Sequence, residues 1–401
     1  IRTFDFTITG LDNESSHADV YFFSPGFAVD MRYERFLHRL DHDPLDNISS
    51  DPNNADQIVS EDLNAGEDYA IRIQDIRTDV KGRLTKDIKY RINLWLRRRK
   101  GERQAIGTQH GFPGGSGIGA DCLSCHVQNQ RQEIDWLSVR VEPIIEARFG
   151  PVTLQYSRPM RSFTENDQVV TRSYGGFHGY PDYEGECPFN VVPDTLAQMD
   201  RLRVSADLPA GNRVYSSVHH GDTRNQARDT RRRYYGFDTR LTNIYFEKLT
   251  LNGFARFNRQ LNELPPFLVP PEDAATTVPT AIVPPYGLRH PIDYLRSSTG
   301  ADIRWQPFRH RAFAGGLVFN AGGEYGWIKR SYADYAIQQP ATVVDQDNTG
   351  YTSYFAGVNM RWHPRFDTFV RYRQRSIARP LFGIDRYSGE TNTNRPEEED
   401  I

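Results

Sequence analysis

The chain has 401 residues, and its 49 Lys and Arg against 52 Asp and Glu give a net charge of -3. So balanced a charge excludes a global field that would attract nucleic acid, and the sequence contains no apolar run of the roughly 18 residues that a helical membrane span needs. The mean hydropathy is low, at -0.66. A low value is also typical of transmembrane β-barrels, because every second residue of their strands faces a wet interior.

Residues 1–68 combine two alternating segments with a polar loop. Phe4 to Ile8 and Ala28 to Tyr33 alternate apolar and polar side chains, which predicts strands, and the Asp/Asn-rich stretch 41–68 predicts a loop. The chain opens in mid-pattern at Ile1, so we expect a processed segment, such as the signal peptide of an exported protein, to precede it.

Residues 69–388 repeat one unit, a pair of alternating strands of about 10 to 16 residues each. The polar face of these strands carries Arg, Asp and Asn. The unit is plainest in Ile88–Leu96, Leu137–Val141, Leu202–Leu208, Leu249–Phe257 and Tyr354–Trp362.

The connections fall into two classes that alternate along the chain. Short turns are predicted at positions 85–87, 149–151, 209–212, 247–248, 307–310 and 363–365, and long connections at 101–134, 164–199, 221–230, 262–292 and 333–351. Short turns on one side and long loops on the other are typical of outer-membrane barrels, and strands this long exceed the five or six residues usual in soluble sheets.

The sequence therefore predicts an all-β fold, a transmembrane antiparallel up-and-down β-barrel. A soluble β-sandwich or propeller has the same period of two and stays open as the alternative. The acidic tail at 389–401 lacks an apolar-aromatic final strand, so we expect further closing strands beyond this chain.

The pentapeptide Cys122-Leu123-Ser124-Cys125-His126 matches the C-x-x-C-H attachment sequence of a c-type haem. It lies in the predicted loop 101–134. Cys122 and Cys125 would form the two thioether bonds to one covalent haem c, and His126 would be the proximal ligand of the iron. A disulfide or half of a zinc site remains open, although Cys187, the third thiol, has no second ligand pair near it.

The second axial ligand is less well defined. His110, in the same loop, and His178, in the neighbouring long loop, are the first candidates, and His219, His220 and Met160 are others. Ligation by two histidines would give a low-potential electron-transfer haem without an open site. For each of these residues the alternative to a ligand role is that of an ordinary side chain at the surface or at the membrane interface.

Paired long strands with Arg-rich faces, such as RLRVSADLPAGNRVYSSVHH at 201–220, resemble the large outer-membrane barrels of the MtrB/PioB type. The resemblance covers about residues 69–380 and is one of pattern. It implies a barrel in outer-membrane lipid that sheathes a multihaem c-type cytochrome. Two departures stand out: the strand count is smaller, and the typical member binds no haem of its own.

The leading hypothesis is therefore an exported bacterial outer-membrane barrel with one c-type haem, acting as an electron-transfer or structural component without enzymatic activity and with no nucleic-acid partner. A plain diffusion porin with a structural CLSCH segment is one alternative. A soluble exported β-rich cytochrome c subunit is the other. Haem is attached in the periplasm, whereas the loop lengths place 101–134 on the outer side of the membrane. Three explanations stay open: the loop is carried across the membrane with its haem, the periplasmic and outer ends of the barrel are reversed, or the motif is not a haem site.

Overall fold

The computed structural model consists of strands joined by turns and loops. It describes residues 2–10, 14–46, 59–109, 126–166, 170–174, 185–189, 192–226, 229–263, 292–308, 316–332, 348–363, 365–378, 382–384, 391–393 and 397–400. Within these ranges, no helix is both long and apolar enough to cross a membrane.

The strands are numbered here in chain order. They are β1 (Thr3–Thr9), β2 (Ser15–Ser24), β3 (Phe27–Leu40), β4 (Val59–Asp62), β5 (Tyr69–Arg83), β6 (Ile88–Gln109), β7 (His126–Phe149), β8 (Val152–Ser157), β9 (Met160–Glu165), β10 (Val170–Tyr174), β11 (Gly185–Phe189), β12 (Thr195–Leu208), β13 (Asn212–Asn225), β14 (Thr230–Tyr245), β15 (Leu249–Asn262), β16 (Ile292–Trp305), β17 (Val318–Tyr332), β18 (Asn348–His363), β19 (Phe366–Ala378), β20 (Phe382–Ile384), β21 (Thr391–Thr393) and β22 (Glu397–Asp400).

Most of these strands form one antiparallel meander in which each strand pairs with the next. The order is β1, β2, β3, β5, β6, β7, β8 with β9, then β12 to β19, and finally β22. β8 and β9 keep a single register and are separated by Arg158 and Pro159, where proline removes a ladder donor. Counted as one strand, they give a sheet of sixteen, with β1 and β22 at its two ends.

Three pairings lie outside the meander. β4 runs parallel to the start of β7, and β10–β11 and β20–β21 are separate small hairpins. β3 pairs with β5 over fourteen residues, so the amino-terminal strands continue directly into the rest of the sheet.

The register gives the sheet one apolar face and one polar face, because residues directly opposite each other point the same way. Val218, Phe237 and Phe257 lie side by side on the apolar face, and the side chain of Val218 is 52% exposed. Ser217 and Asp238 lie opposite each other on the polar face.

No apolar layer lies between two sheets in the described ranges. The one buried hydrophobic cluster found there consists of Ile71, Ile73 and Ile134, with Leu40 and Trp136 packed against it. A sandwich would bury its apolar faces, whereas here they are turned outward, as lipid requires. The expected fold class, a transmembrane antiparallel up-and-down β-barrel, is confirmed, and the sandwich alternative is wrong.

The two classes of connection are also found, but the predicted long connection at 221–230 is wrong, because β13 ends at Asn225 and β14 begins at Thr230. At one end of the sheet lie tight links such as Pro25-Gly26 and Gly150-Pro151, and at the other lie the long connections 41–68, 110–125 and 263–291. One predicted short turn is wrong, because β16 ends at Trp305 and β17 begins at Val318. The Pro-Phe-Arg-His sequence at 307–310 suggested a tight turn, but the strands stop short of it on both sides.

The two faces lead to a test by charge insertion at the middle of β13. We expect Val218→Arg to lower the free energy of unfolding by roughly 2–4 kcal/mol, because it places a charge in hydrocarbon. Ser217→Arg is the matched control, since its side chain points to the polar face one residue away. Urea unfolding of the protein in lipid vesicles measures both, and equal losses in the two variants would refute the assignment of the faces.

Candidate functional site

The longest hairpin of the sheet leads to the Cys122–His126 pentapeptide. β6 has 22 residues and β7 has 24, about twice the 9–11 residues that a strand needs to cross the hydrocarbon. Their pairing is unbroken from Ile88 and Ala147 at the short-turn end to Gln109 and His126 at the other. The hairpin therefore projects well beyond the membrane.

The predicted loop 101–134 is wrong in its bounds, because residues 101–109 and 126–134 are strand. The apolar face of β6 carries Ile92, Leu94 and Leu96 and then changes to Arg98, Lys100 and Glu102. The outer half of β6 therefore lacks an apolar face and does not show the alternation of a membrane strand. It pairs nonetheless, and two ion pairs support the ladder, Arg98–Asp135 at 2.6 Å and Arg131–Glu102 at 3.1 Å.

Most of the predicted haem residues lie outside the described ranges. These are Cys122, Cys125, His110 and His178. His126 is the first residue of β7, and its backbone lies between Gln109 on the antiparallel side and Val59 of β4 on the parallel side. The last residue of the motif is thus anchored between two strands. Cys187 lies in β11, opposite Arg172 of β10.

The base of the motif is braced by residues 41–46 and 59–69, here called the buttress. The backbone of Asp43 exchanges two hydrogen bonds with the side chain of Gln104 on β6, at 2.9 and 2.6 Å. Asn129, fully buried on β7, donates to the carbonyl of Asp43 at 2.8 Å. Asn64 accepts from the backbone N–H of Arg131 at 2.7 Å. The buttress therefore ties both strands of the projecting hairpin.

A histidine stands at the centre of the buttress. His42 contacts the carboxylate of Asp62 at 2.5 Å through Nε2 and the carbonyl of Glu67 at 2.8 Å through Nδ1. Its ring stacks on the buried ring of Tyr69 at 5.4 Å. Both ring nitrogens have acceptors, which suits a doubly protonated imidazolium. The same contacts occupy the ring nitrogens, so they do not leave His42 free to ligate a metal.

These contacts shift two pKa values in opposite directions. The hydrogen bond to Asp62, followed by the one to Glu67, raises the pKa of His42 above its ordinary 6.5. Burial would raise the pKa of Asp62, but hydrogen bonds from His42 and from the N–H of Asn64 together hold it below the ordinary 3.8. Each group therefore favours the charged form of the other.

Two of the other candidate ligands have different surroundings. His219 lies on the polar face of β13, where its Nε2 is 3.5 Å from the side-chain amide of Asn258 and its ring contacts Tyr234. Met160 lies on the apolar face opposite Val141. Its side chain therefore points away from the polar face on which His219 lies.

The polar face of β12–β19, here called the cationic wall, carries an excess of positive charge. Its charged residues are Arg201, Arg203, Arg213, Arg232, Arg240, Arg256, Arg296, Arg304, Arg330, Arg361, Arg371, Arg373 and Arg375, against Asp207, Asp238, Asp302, Glu324 and Asp367.

The polar face of β1–β9 is more nearly balanced. It carries the bases Arg32, Arg77, Lys81, Arg83, Lys89, Arg91, Arg97, Arg99, Arg103, Arg140, Arg148 and Arg161, and the acids Asp5, Asp19, Asp30, Glu34, Asp75, Asp79, Glu142, Glu146 and Glu165. The excess of cations is therefore concentrated on one side of the lumen.

Sequence reasoning missed the buttress, and it noted Arg-rich faces without showing that the excess of positive charge lies on β12–β19. The buttress lies in the stretch read as a polar loop, and its signal was a pair of isolated apolar residues, Leu45 and Tyr69, which are both buried. The wall becomes visible only when the register assigns each arginine to a face. In the described ranges, no group of three or more His, Cys, Asp or Glu residues is arranged to hold a metal ion.

No protein-family model matches the chain, and no curated protein matches it either. Among solved structures, the chain is similar to the closed form of the ferric-catecholate import receptor Fiu of E. coli K12, with a TM-score of 0.46 and 8% identity. The match covers 94% of this chain and 59% of the receptor. The chain thus spans less than two thirds of that receptor.

It is also similar to OmpT, an outer membrane protein of Vibrio cholerae. The mutant that lacks loop L8 gives a TM-score of 0.29 and 8% identity, over 93% of this chain and 99% of that one. The in-vitro folded trimer form gives 0.28 and 9%, over 88% and 100%.

The pair of His42 and Asp62 predicts that the stability of the buttress depends on pH. A raised pKa means that His42 stabilises the fold fully below 6.5 and that this contribution is lost as the pH rises through its folded pKa. The lowered pKa of Asp62 gives a contribution that is present above 3.8 and lost as the pH falls through the folded value. We therefore expect backbone amide exchange in the buttress, corrected for intrinsic rates, to be slowest between 3.8 and 6.5.

His42→Gln should remove the rise in exchange above that range, measured by mass spectrometry on peptides from 41–46 and 59–69. His38→Gln is the control, because His38 lies four residues earlier on β3. If the rise above 6.5 persists in His42→Gln, the imidazolium does not stabilise the buttress.

Proposed function

We propose that this protein is a bacterial outer-membrane barrel that carries one c-type haem at the tip of the β6–β7 hairpin. It would form part of an electron-transfer conduit together with a multihaem c-type cytochrome. The observation that supports this proposal most is the position of Cys122-Leu123-Ser124-Cys125-His126, which lies where a hairpin that outreaches the membrane turns back.

The chain offers the donors that a haem c requires. Cys122 and Cys125 would hold the porphyrin by thioether bonds, and His126 would bind the iron as axial ligand. A haem held in this way supplies one-electron transfer. The backbone of His126, paired on both sides, fixes where the motif begins relative to the sheet. His110 and His178 remain proposals for the second axial ligand.

The buttress suits this role. A hairpin of two long strands without lipid around it has little to stabilise it, and a cofactor at its tip must be kept at a fixed distance from its electron partner. The hydrogen bonds from Gln104 and Asn129 to Asp43 supply that rigidity close to the motif.

A diffusion porin is the second candidate function. The observation that favours it is the polar, charged inner face of the sheet, which resembles the water-filled interior of porins. In that case the CLSCH segment has a structural role only. The soluble cytochrome alternative is disfavoured, because large apolar side chains such as Val218 and Val370 are exposed along the outer face.

Intact-mass measurement of the purified protein decides whether haem is attached. We expect the mass of the protein to exceed that of the polypeptide by roughly 616 Da, and we expect an absorption band at about 550 nm that survives denaturation. Cys122→Ser with Cys125→Ser should abolish both, and Cys187→Ser, which lies outside the motif, should keep them. An unmodified mass in a detergent-extracted, folded protein that still passes solutes would select the porin.

A further inference from the structure

The cationic wall contains a repeated arrangement of glycine, aromatic ring and arginine. Gly326 on β17 lies opposite Tyr351 on β18, and a Cβ on that glycine would collide with the tyrosine ring. The ring therefore lies flat over the glycine, a known way of covering glycine in sheets. The guanidinium of Arg375 on β19 stands over the same ring, 4.9 Å from its centre.

The arrangement occurs twice more. Phe355 covers Gly322, and Arg371 stands 5.3 Å from the centre of the Phe355 ring. Phe254 covers Gly300, and Arg256 stands 4.7 Å from its ring. Three guanidinium groups of β15 and β19 are thus held over aromatic rings on the polar face of the sheet.

Stacking on a ring does not itself neutralise a guanidinium; of the three, Arg256 is also paired with Asp238, at 2.8 Å. A cation–π contact holds the face of the group and leaves its N–H edges available to an anion. The Nε–H of Arg375 is buried and has no hydrogen-bond partner among the described residues.

The carboxylates of the wall do not cancel its charge. Asp207, Asp238 and Asp367 pair with one arginine each, at 2.8–3.1 Å. Asp302 and Glu324 accept hydrogen bonds from the neutral groups of Asn252 and Tyr351. Thirteen arginines against five carboxylates leave an excess of eight positive charges on β12–β19, and at the next strand, β22, the register places Asp400 opposite Arg373 and Glu398 opposite Arg375.

We propose that the barrel conducts small inorganic anions in preference to cations, and that arginines held over aromatic rings serve as its anion-binding steps. Charge of one sign on a wall of low dielectric raises the local concentration of counter-ions. Fixed guanidiniums spaced along the wall let an anion pass from one to the next. This inference rests on the barrel fold and is independent of the haem.

The test is the reversal potential of the purified protein in a planar lipid bilayer under a KCl gradient. We expect the reversal potential to have the same sign as the equilibrium potential of chloride. A potential near zero, or one set by potassium, would overturn the proposal. An absence of conductance in protein whose heat-sensitive gel shift shows a folded barrel would overturn it as well, because the lumen would then be closed to ions.

The triple variant Arg256→Gln, Arg371→Gln, Arg375→Gln tests the stacked arginines. We expect its chloride-to-potassium permeability ratio to fall about twofold or more. The matched control removes three charges from the opposite side of the lumen, Lys81→Gln, Arg83→Gln and Lys89→Gln, and should change the ratio much less. Equal changes would show that total charge, and not the cationic wall, sets the selectivity.

A second triple separates charge from geometry. Arg256→Lys, Arg371→Lys and Arg375→Lys keep the charges but lose the planar group that stacks on a ring. We expect this variant to stay selective for anions and to bind iodide or thiocyanate, used as probes, more weakly in competition with chloride. Unchanged competition would show that the stacks themselves play no part.

Discussion

The structure depends on the requirement that every backbone polar group within hydrocarbon find a partner in the protein. In an antiparallel meander, each strand provides hydrogen-bond partners for the backbone of its neighbours. The register then decides which face of the sheet each side chain occupies. Because the period is two, a slip of one residue would turn Phe237 inward and Asp238 toward lipid. Pairing and the hydrophobic effect thus enforce the same register, which explains how a chain with so low a hydropathy can be stable in lipid.

The same constraint explains why the inner face can be so highly charged. Apolar side chains are required only on the outer face, so the inner one is free to carry function. Its two sides differ. On β1–β9 several acids pair with bases, as Asp75 does with Arg77 on its own strand at 2.9 Å and with Arg97 on the neighbouring strand at 2.7 Å. On β12–β19 aromatic rings replace carboxylates as the partners of several arginines.

Alternation predicted the strands wherever one face is apolar. The segments at 202–208, 249–257 and 354–362 lie within β12, β15 and β18, and the tight link at 209–211 is found as a 3-10 turn in which Ala210 adopts a φ of 59°. The segments Phe4–Ile8 and Ala28–Tyr33 likewise lie within β1 and β3, whereas β2 was not predicted. These are the parts whose residues face lipid on one side.

Prediction failed where lipid does not impose a pattern. The outer halves of β6 and β7 are strands with polar residues on both faces, so nothing in their sequence separates them from a loop. The prediction of a tight turn at 307–310 was wrong for another reason. The local sequence favours a turn, but β16 already ends at Trp305 and β17 begins only at Val318. Likewise, the buttress is held by hydrogen bonds between Asp, Asn, Gln and His residues that lie as many as 86 positions apart, and single-sequence patterns carry no information on such pairs.

The projecting hairpin and the buttress have to be considered together. Above Arg98 the outer face of β6 no longer gains free energy from contact with lipid, and an isolated two-stranded ribbon is at best marginally stable. The buttress replaces lipid as the stabilising partner: it adds β4 to the edge of β7, buries Asn129 and Tyr69, and places one charged pair, His42 with Asp62, at its centre. The support thus lies at the end of the hairpin from which the sequence continues through Cys122 and Cys125 to His126.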